Sequence, residues 1–258
     1  SSAASDVYKR QPPPPPVRLT KTHKSMLRRI ISQVPNTITC LSLFFGAIAI
    51  IASFHFNDTV WGLPCYQWAF ICIGISAVCD FLDGASARML HAYSNLGKQL
   101  DSLSDLVSFG VAPGMLVYNM MTLQAGPAWL PFVAIFIPLM GELRLARFNI
   151  DDRQTTSFLG MPIPANAIFW IGSVSWMTTH GYIGHWPMAV LVVAMSLLMV
   201  ATRIHMFSLK FKNFDFRENL RRYVIILAAL LFVISEGVPG LAWTILFYLV
   251  LSLLPSRA

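Results

Sequence analysis

Charge is scarce in this 258-residue chain: Asp, Glu, Lys and Arg together make up 12% of it, and only 12 residues are acidic. So little charge, beside 55% hydrophobic residues and long apolar runs, leaves no soluble domain of useful size and points to a polytopic membrane protein. Cysteine is sparse too. Cys40, Cys65, Cys72 and Cys79 show no paired metal-ligand spacing, and on one helix Cys72 and Cys79 would stand about 10.5 Å apart, beyond disulfide reach. They read as packing residues. No cleavable signal is expected within this sequence, because the apolar stretch after Pro35 is long enough to span. The formal charge of +7 does not make a nucleic-acid binder, since the cations follow the loops and form no isolated basic domain.

What is present is apolar helix. The runs predict an all-α membrane bundle of about eight spans, at 36–54, 65–88, 98–121, 128–147, 163–180, 187–205, 221–235 and 240–255. Residues 1–20 read as a tail with a stiff Pro run, its first eleven residues resembling a cloning remnant. Residues 21–34 place Met26, Leu27, Ile30, Ile31 and Val34 opposite Lys21, Lys24, Arg28 and Arg29. That pattern predicts either an amphipathic helix in the lipid interface or a simple basic anchor.

Lys and Arg collect before span one, around Arg88 and Lys98, after span four at Arg144, Arg147 and Arg153, and between spans six and seven. The alternate loops HFNDTVWGLP, TLQAGPA, THGYIGHW and EGVPG have neither residue. Basic loops favour the cytoplasm, so both termini are expected there, in a multi-pass protein of the bacterial inner membrane type.

The few acids are not scattered. Asp80 and Asp83 are three residues apart and Asp101 and Asp105 four apart, so each pair shares a helix face, about 4.5 and 6 Å apart along the axis. An Asp at the centre of a membrane helix costs about 2.5–3.5 kcal/mol on insertion scales, and four together repel one another. Divalent cations resolve that conflict, and hard oxygen ligands with open positions suit Mg²⁺ or Mn²⁺. Gly84 and Gly97 clear space beside the acids, and Arg88 stands one turn beyond Gly84, where it could grip phosphate. The acids therefore mark a site open to the cytoplasm.

Asp80, Asp83, Gly84, Ala87, Arg88, Gly97, Asp101 and Asp105 fill the DxxDGxxAR…GxxxDxxxD pattern, and in this the chain resembles the CDP-alcohol phosphotransferases. The resemblance covers nearly everything from Val34 onward. It implies a six-helix catalytic core, 35–208, followed by two added spans within 209–258, and a homodimer. PNTITCLSLFFG, SDLVSFGVAPG, GELRLARFNI and FLGMPIPANA are similar to the branch of that family whose acceptor is L-serine.

The implied reaction moves a phosphatidyl group from CDP-diacylglycerol to serine, releasing CMP, with two metal ions held by Asp80, Asp83, Asp101 and Asp105. Asp105 either completes the metal shell or takes the proton from serine, and the base role is preferred. The resemblance sets cytidine near Gly84, Ala87 and Gly97, with Arg88 among the nucleotide-binding residues on the phosphates and Asn36 and Thr39 as candidate additions.

Serine is a zwitterion, and Arg144, Arg147, Glu142 and Asn149 offer cations for its carboxylate and acceptors for its ammonium; the arginines could equally be topology anchors. Pro162 and Pro164 suit a helix N-terminus facing the same cavity, and Pro113 and Gly114 a kink just past the acids. The competing readings are the same chemistry on glycerol 3-phosphate or inositol phosphate, and a cation transporter, since intramembrane acids also mark ion pathways.

Overall fold

The computed structural model describes residues 21–150, 157–202, 205–207, 215 and 219–253, with side chains unassigned at 21–32, 157–159 and 205. The expected tail and the cations Arg153, Arg203, Lys210, Lys212, Arg217 and Arg257 lie outside the described residues, as do the side chains of the expected amphipathic stripe from Lys21 to Ile31.

Helix dominates, as the apolar runs dictate: α1 Lys21–Phe54, α2 Cys65–Met89, α3 Asn95–Asp105, α4 Ala112–Thr122, α5 Phe136–Ile150, α6 Ile163–His180, α7 His185–Val200, α8 Leu220–Glu236 and α9 Gly240–Leu253. Strand is confined to two short pairs. Thr59–Val60 (β1) and Leu63–Pro64 (β2) form a hairpin closed by Trp61 and Gly62, both at positive φ, which is the two-residue turn that suits strand twist. Ser157–Leu159 (β3) pairs antiparallel with His205–Phe207 (β4). Among the described residues three helical stretches, 33–54, 65–89 and 95–122, are long and apolar enough to cross a membrane, and α7 and α9 are shorter apolar helices. The chain is an all-α membrane protein.

The stretch expected in the interface and the first span are one continuous helix, because α1 runs unbroken from Lys21 through Pro35 to Phe54. A proline inside a helix removes one donor and crowds the carbonyl four residues back. That carbonyl, of Ile31, lies within the stretch expected at the interface, where polar headgroups and water can meet it.

The buried face of α1 is a stripe of Asn36, Thr39, Ser42, Gly46, Ala49 and Ser53, all small or polar and spaced three or four apart. Small residues let helices approach closely, and hydroxyls can bond across them. Ser42 Oγ donates to the Ser76 carbonyl (3.1 Å) and Ser76 Oγ returns a bond to the Ser42 carbonyl (2.8 Å). Ser108 Oγ donates to the same Ser42 carbonyl (3.1 Å), and Ser104 Oγ to the Thr39 carbonyl (3.1 Å). This seam ties α1 to α2 and to the α3 region. It also fixes the acids, because Ser76 precedes Asp80 by one turn and Ser104 adjoins Asp105.

Between α3 and α4, Leu106–Val111 forms a π-helical turn in which the Ala112 N–H reaches back five residues to the Val107 carbonyl. Pro113, second residue of α4, supplies no N–H. The expected disturbance past the acids is therefore a widened turn that starts directly after Asp105.

On the far side of α4, the large buried side chains Phe109, Leu116, Met121, Ile137, Ile163, Phe169, Trp170 and Met188 make the main core. Gly172 of α6 and Ala242 of α9 meet backbone to backbone, and α8 packs on α9. Phe44, Ile51, Val78, Val190, Leu230 and Ile234 are among the exposed apolar residues. Such a surface is at home in lipid and not in water.

Candidate active site

Asp80 near the end of α2 and Asp101 and Asp105 on α3 bring carboxylate oxygens within 4.8 Å of one another, all three partly buried. Two helices build this cluster because the Ser42, Ser76, Ser104 and Ser108 bonds draw both onto α1. Asp83, sharing a helix face with Asp80, turns instead toward α1. The Thr39 hydroxyl donates to Asp83 Oδ2 at 2.5 Å, and both residues are buried. The structure thus gathers Asp80, Asp101 and Asp105 and holds Asp83 beside them through Thr39. A set of hard oxygen donors from two helices fits a divalent cation, which would offset their mutual repulsion.

A cavity of about 610 Å³ opens next to Asp83 and Asp101 and is lined on one wall by Pro35, Asn36 and Thr39, on another by Gly84 and Ala87, and on a third by Gly97 and Lys98. Asn36 and Thr39, candidates from the sequence, are part of it. The glycines explain its shape. A Cβ at Gly97 would stand 3.0 Å from Ser94 Oγ and 3.1 Å from Asn36 Oδ1, so a side chain here would press on both where α3 closes on α1. A Cβ at Gly84 would have only Arg88 Nη1, 3.7 Å away, near it, which leaves that wall open. The guanidinium of Arg88 folds back over Gly84 at the cavity edge. Ser94 caps α3 by accepting from the Gly97 N–H (2.9 Å), which directs the first turn of the helix along the cavity.

The four acceptor candidates on α5 do not converge. At about 100° per residue Glu142 and Asn149 fall on one side of the helix and Arg144 roughly opposite Glu142. Arg144 is buried and near Asp105, with no ion pair between them, and its guanidinium lies 5.4 Å from the Phe148 ring centroid. Arg147 is exposed and donates to the Val200 carbonyl at the end of α7 (3.0 Å). Glu142 is exposed. Asn149 Nδ2 donates to Ser102 Oγ (2.8 Å), and its carbonyl accepts from Lys98 Nζ (3.0 Å), so α5 ends docked on α3.

The N-terminus of α6 lies against the π-turn, where Ile163 fits between Gly110 and Gly141. The serine seam is what sequence reading missed; its signal was the three-and-four spacing of small polar residues on α1. Tyr93, Ser94 and Asn95 also line the cavity without belonging to the motif.

The sequence profile of the family described as CDP-alcohol phosphatidyltransferase matches residues 32–235. The chain belongs to that family. Enzymes of the CDP-alcohol phosphatidyltransferase family are phosphotransferases, and the matched region takes in the acids, the cavity and most of α8.

Relatives share the resemblance. A CDP-diacylglycerol--serine O-phosphatidyltransferase of Bacillus subtilis is 37% identical over 138 residues, 52% of this chain and 71% of that protein. One from Helicobacter pylori strain J99 is 30% identical over 224 residues, 84% of this chain and 87% of its own length. One from Methanocaldococcus jannaschii is 37% identical over 146 residues, 57% and 62% of the two chains.

Proposed function

We propose that this member of the family transfers the phosphatidyl group of CDP-diacylglycerol to the hydroxyl of L-serine, yielding phosphatidylserine and CMP. The observation that carries the reading is the meeting of three carboxylates from α2 and α3, one of which, Asp101, also lines, with Asp83, a cavity large enough for a nucleotide. The names of the relatives supply the acceptor.

In this reading CDP occupies the cavity with its diphosphate at the acid end. Asp80, Asp83 and Asp101 would hold two Mg²⁺ or Mn²⁺ ions, which would supply positive charge to offset the diphosphate and the charge that develops on CMP. Gly84, Ala87 and Gly97 let the nucleotide approach the helix backbones, and Arg88 holds phosphate oxygens. The serine oxygen forms its bond to the phosphatidyl phosphorus as the bond from that phosphorus to the CMP oxygen breaks. Asp105 receives the hydroxyl proton, and Arg144 beside it meets the serine carboxylate.

Grouping Asp105 with Asp80 and Asp101 supports its competing role as a metal ligand. Of the α5 candidates Arg144 is the one set toward the acids, while Arg147 and Asn149 spend their donors on Val200 and Ser102. Arg144, the one buried Lys or Arg among the described residues, matches a carboxylate acceptor better than the phosphate of glycerol 3-phosphate or inositol phosphate.

The helices cross the membrane eight times in this reading, the stretch from Lys21 to Val34 lies in the cytoplasmic interface, and the site faces the cytoplasm. Tryptophan placement supports the topology: Trp61, Trp68, Trp129, Trp176, Trp186 and Trp243 sit at helix ends or loops on the side opposite the acids, and only Trp170 is central. Trp61 packs edge-on to Trp68 and Trp129 to Trp186, as in an interfacial aromatic belt. The enzyme works as a homodimer in this reading, which rests on the family resemblance alone.

The test is purified protein supplied with CDP-diacylglycerol, Mg²⁺ or Mn²⁺, and labelled serine, glycerol 3-phosphate or inositol phosphate in parallel. Label should enter lipid from serine with release of CMP. Label from another acceptor instead would overturn the serine assignment, and no CMP release with any acceptor and either ion would overturn the reaction.

A further inference from the structure

We infer that Tyr93 is the platform on which the pyrimidine ring of the bound nucleotide stacks. Five residues join α2 to α3, and their backbone is pinned at both ends. His91 takes a left-handed conformation (φ 49°) while its N–H bonds the Arg88 carbonyl (3.3 Å) and the Ala92 N–H bonds the Ala87 carbonyl (3.0 Å). That pair of bonds is the Schellman pattern that ends a helix, here with histidine where glycine is usual. Two residues later Ser94 caps α3. Tyr93 is held between the two caps.

Its side chain, in contrast, is unengaged. Tyr93 is 74% exposed, lines the cavity, and has no ring contact or hydrogen bond among the described residues. Other tyrosines in the bundle are occupied: Tyr66 stacks on Phe56, and Tyr248 bonds the Phe207 carbonyl. The position fits a base. Asp83 and Asp101 each lie seven residues from the connecting turn, about 10 Å at 1.5 Å per residue. A ribosyl base extends over such a length when its diphosphate lies at the acids. Neither Lys nor Arg lies within two residues of Tyr93, so the turn offers π surface and no permanent charge. Aromatic rings bind bases through their faces whatever the hydrogen-bonding pattern, which suits a position with no donor or acceptor beyond one phenol.

The inference rests on the donor site proposed above, and the experiment separates the two. CDP and inorganic pyrophosphate are titrated, with Mn²⁺ present, into the full-length protein in detergent and into Tyr93→Ala, Tyr93→Phe and Tyr93→Trp. Stacking predicts that Tyr93→Ala weakens CDP binding roughly 5- to 150-fold with pyrophosphate unchanged, and that Tyr93→Phe and Tyr93→Trp stay within about threefold for both. Unaltered CDP affinity in Tyr93→Ala overturns the inference. Parallel loss of CDP and pyrophosphate overturns it as well, since stacking cannot touch a ligand without a base. Failure of Tyr93→Phe to hold CDP would transfer the role to the hydroxyl and overturn stacking. If the unaltered protein binds neither ligand, the donor site itself falls.

Discussion

Replacing Thr39 with valine isolates one contact at the centre of the site. The Thr39 hydroxyl has a single proton and two acceptors in reach, the Pro35 carbonyl at 3.0 Å and Asp83 Oδ2 at 2.5 Å. The nearer and ionisable acceptor takes it. A hydrogen bond to a charged group contributes about 1.5–3 kcal/mol, a factor of roughly 10 to 150 in an equilibrium or rate constant. Valine keeps the volume but removes that bond, leaving Asp83 buried without it. The seam bond from Ser104 goes to the main chain of Thr39 and survives the change. The effect should therefore fall on the donor site and not on helix packing. The assay is CMP release at saturating serine with varied CDP-diacylglycerol, alongside thermal unfolding in detergent. Thr39→Val should lower kcat/KM for the donor on the order of 10- to 100-fold, with the serine KM within about twofold and Thr39→Ser close to the unaltered enzyme. A Thr39→Val enzyme with full donor kcat/KM would refute the idea that this bond positions Asp83.

Other changes probe the remaining parts. Asp105→Asn should abolish transfer; metal-dependent CDP binding that persists marks the base role, whereas its loss assigns Asp105 to the metal shell. Arg144→Gln should cut kcat/KM for serine by roughly two orders of magnitude, because it removes the cation proposed to meet the serine carboxylate, a charge-assisted contact of about 1.5–3 kcal/mol. Arg147→Gln should cost less than about fivefold because its partner is a helix-end carbonyl; the reverse order would discard Arg144 as the acceptor residue. Gly46→Ala would force a methyl to within 2.9 Å of Ser108 Cα, and should destabilise the bundle by about 1–3 kcal/mol, read as a lowered unfolding midpoint. Removal of divalent ions with a chelator should stop CMP release, and re-addition of Mg²⁺ or Mn²⁺ should restore it; activity that persists after exhaustive chelation contradicts metal use.

Much of the helical layout was legible because apolar runs and turn residues are local signals. The expected 163–180 is the observed α6, with Pro162 and Pro164 marking its start, and 65–88 differs from α2 by one residue. The helix expected at 98–121 begins instead at Asn95, where Ser94 supplies a cap that hydropathy does not register. Likewise 187–205 became α7 ending at Val200, because the residues from His205 pair with β3, a long-range contact invisible along the chain. The site divides in the same way. Spacing placed Asp80 with Asp83 and Asp101 with Asp105, but which carboxylates meet depends on how two helices cross. Thr39, 44 residues before Asp83, decides that Asp83 turns aside. The failure of the α5 candidates to converge was readable from helical geometry, whereas the burial of Arg144 beside Asp105 needed the fold.

The widened turn after Asp105 separates two jobs that a continuous α-helix would bind together. In a regular helix the direction of every residue is fixed by the one before it, so an acid turned toward a substrate dictates which side chains below it meet the neighbouring helices. One extra residue in a turn shifts the phase of all that follows by about 100°. The half that carries the acids can thus accumulate changes that alter substrate preference while the half beyond the turn keeps its packing partners, and deleting a single residue between Leu106 and Val111 would do more harm than many substitutions there.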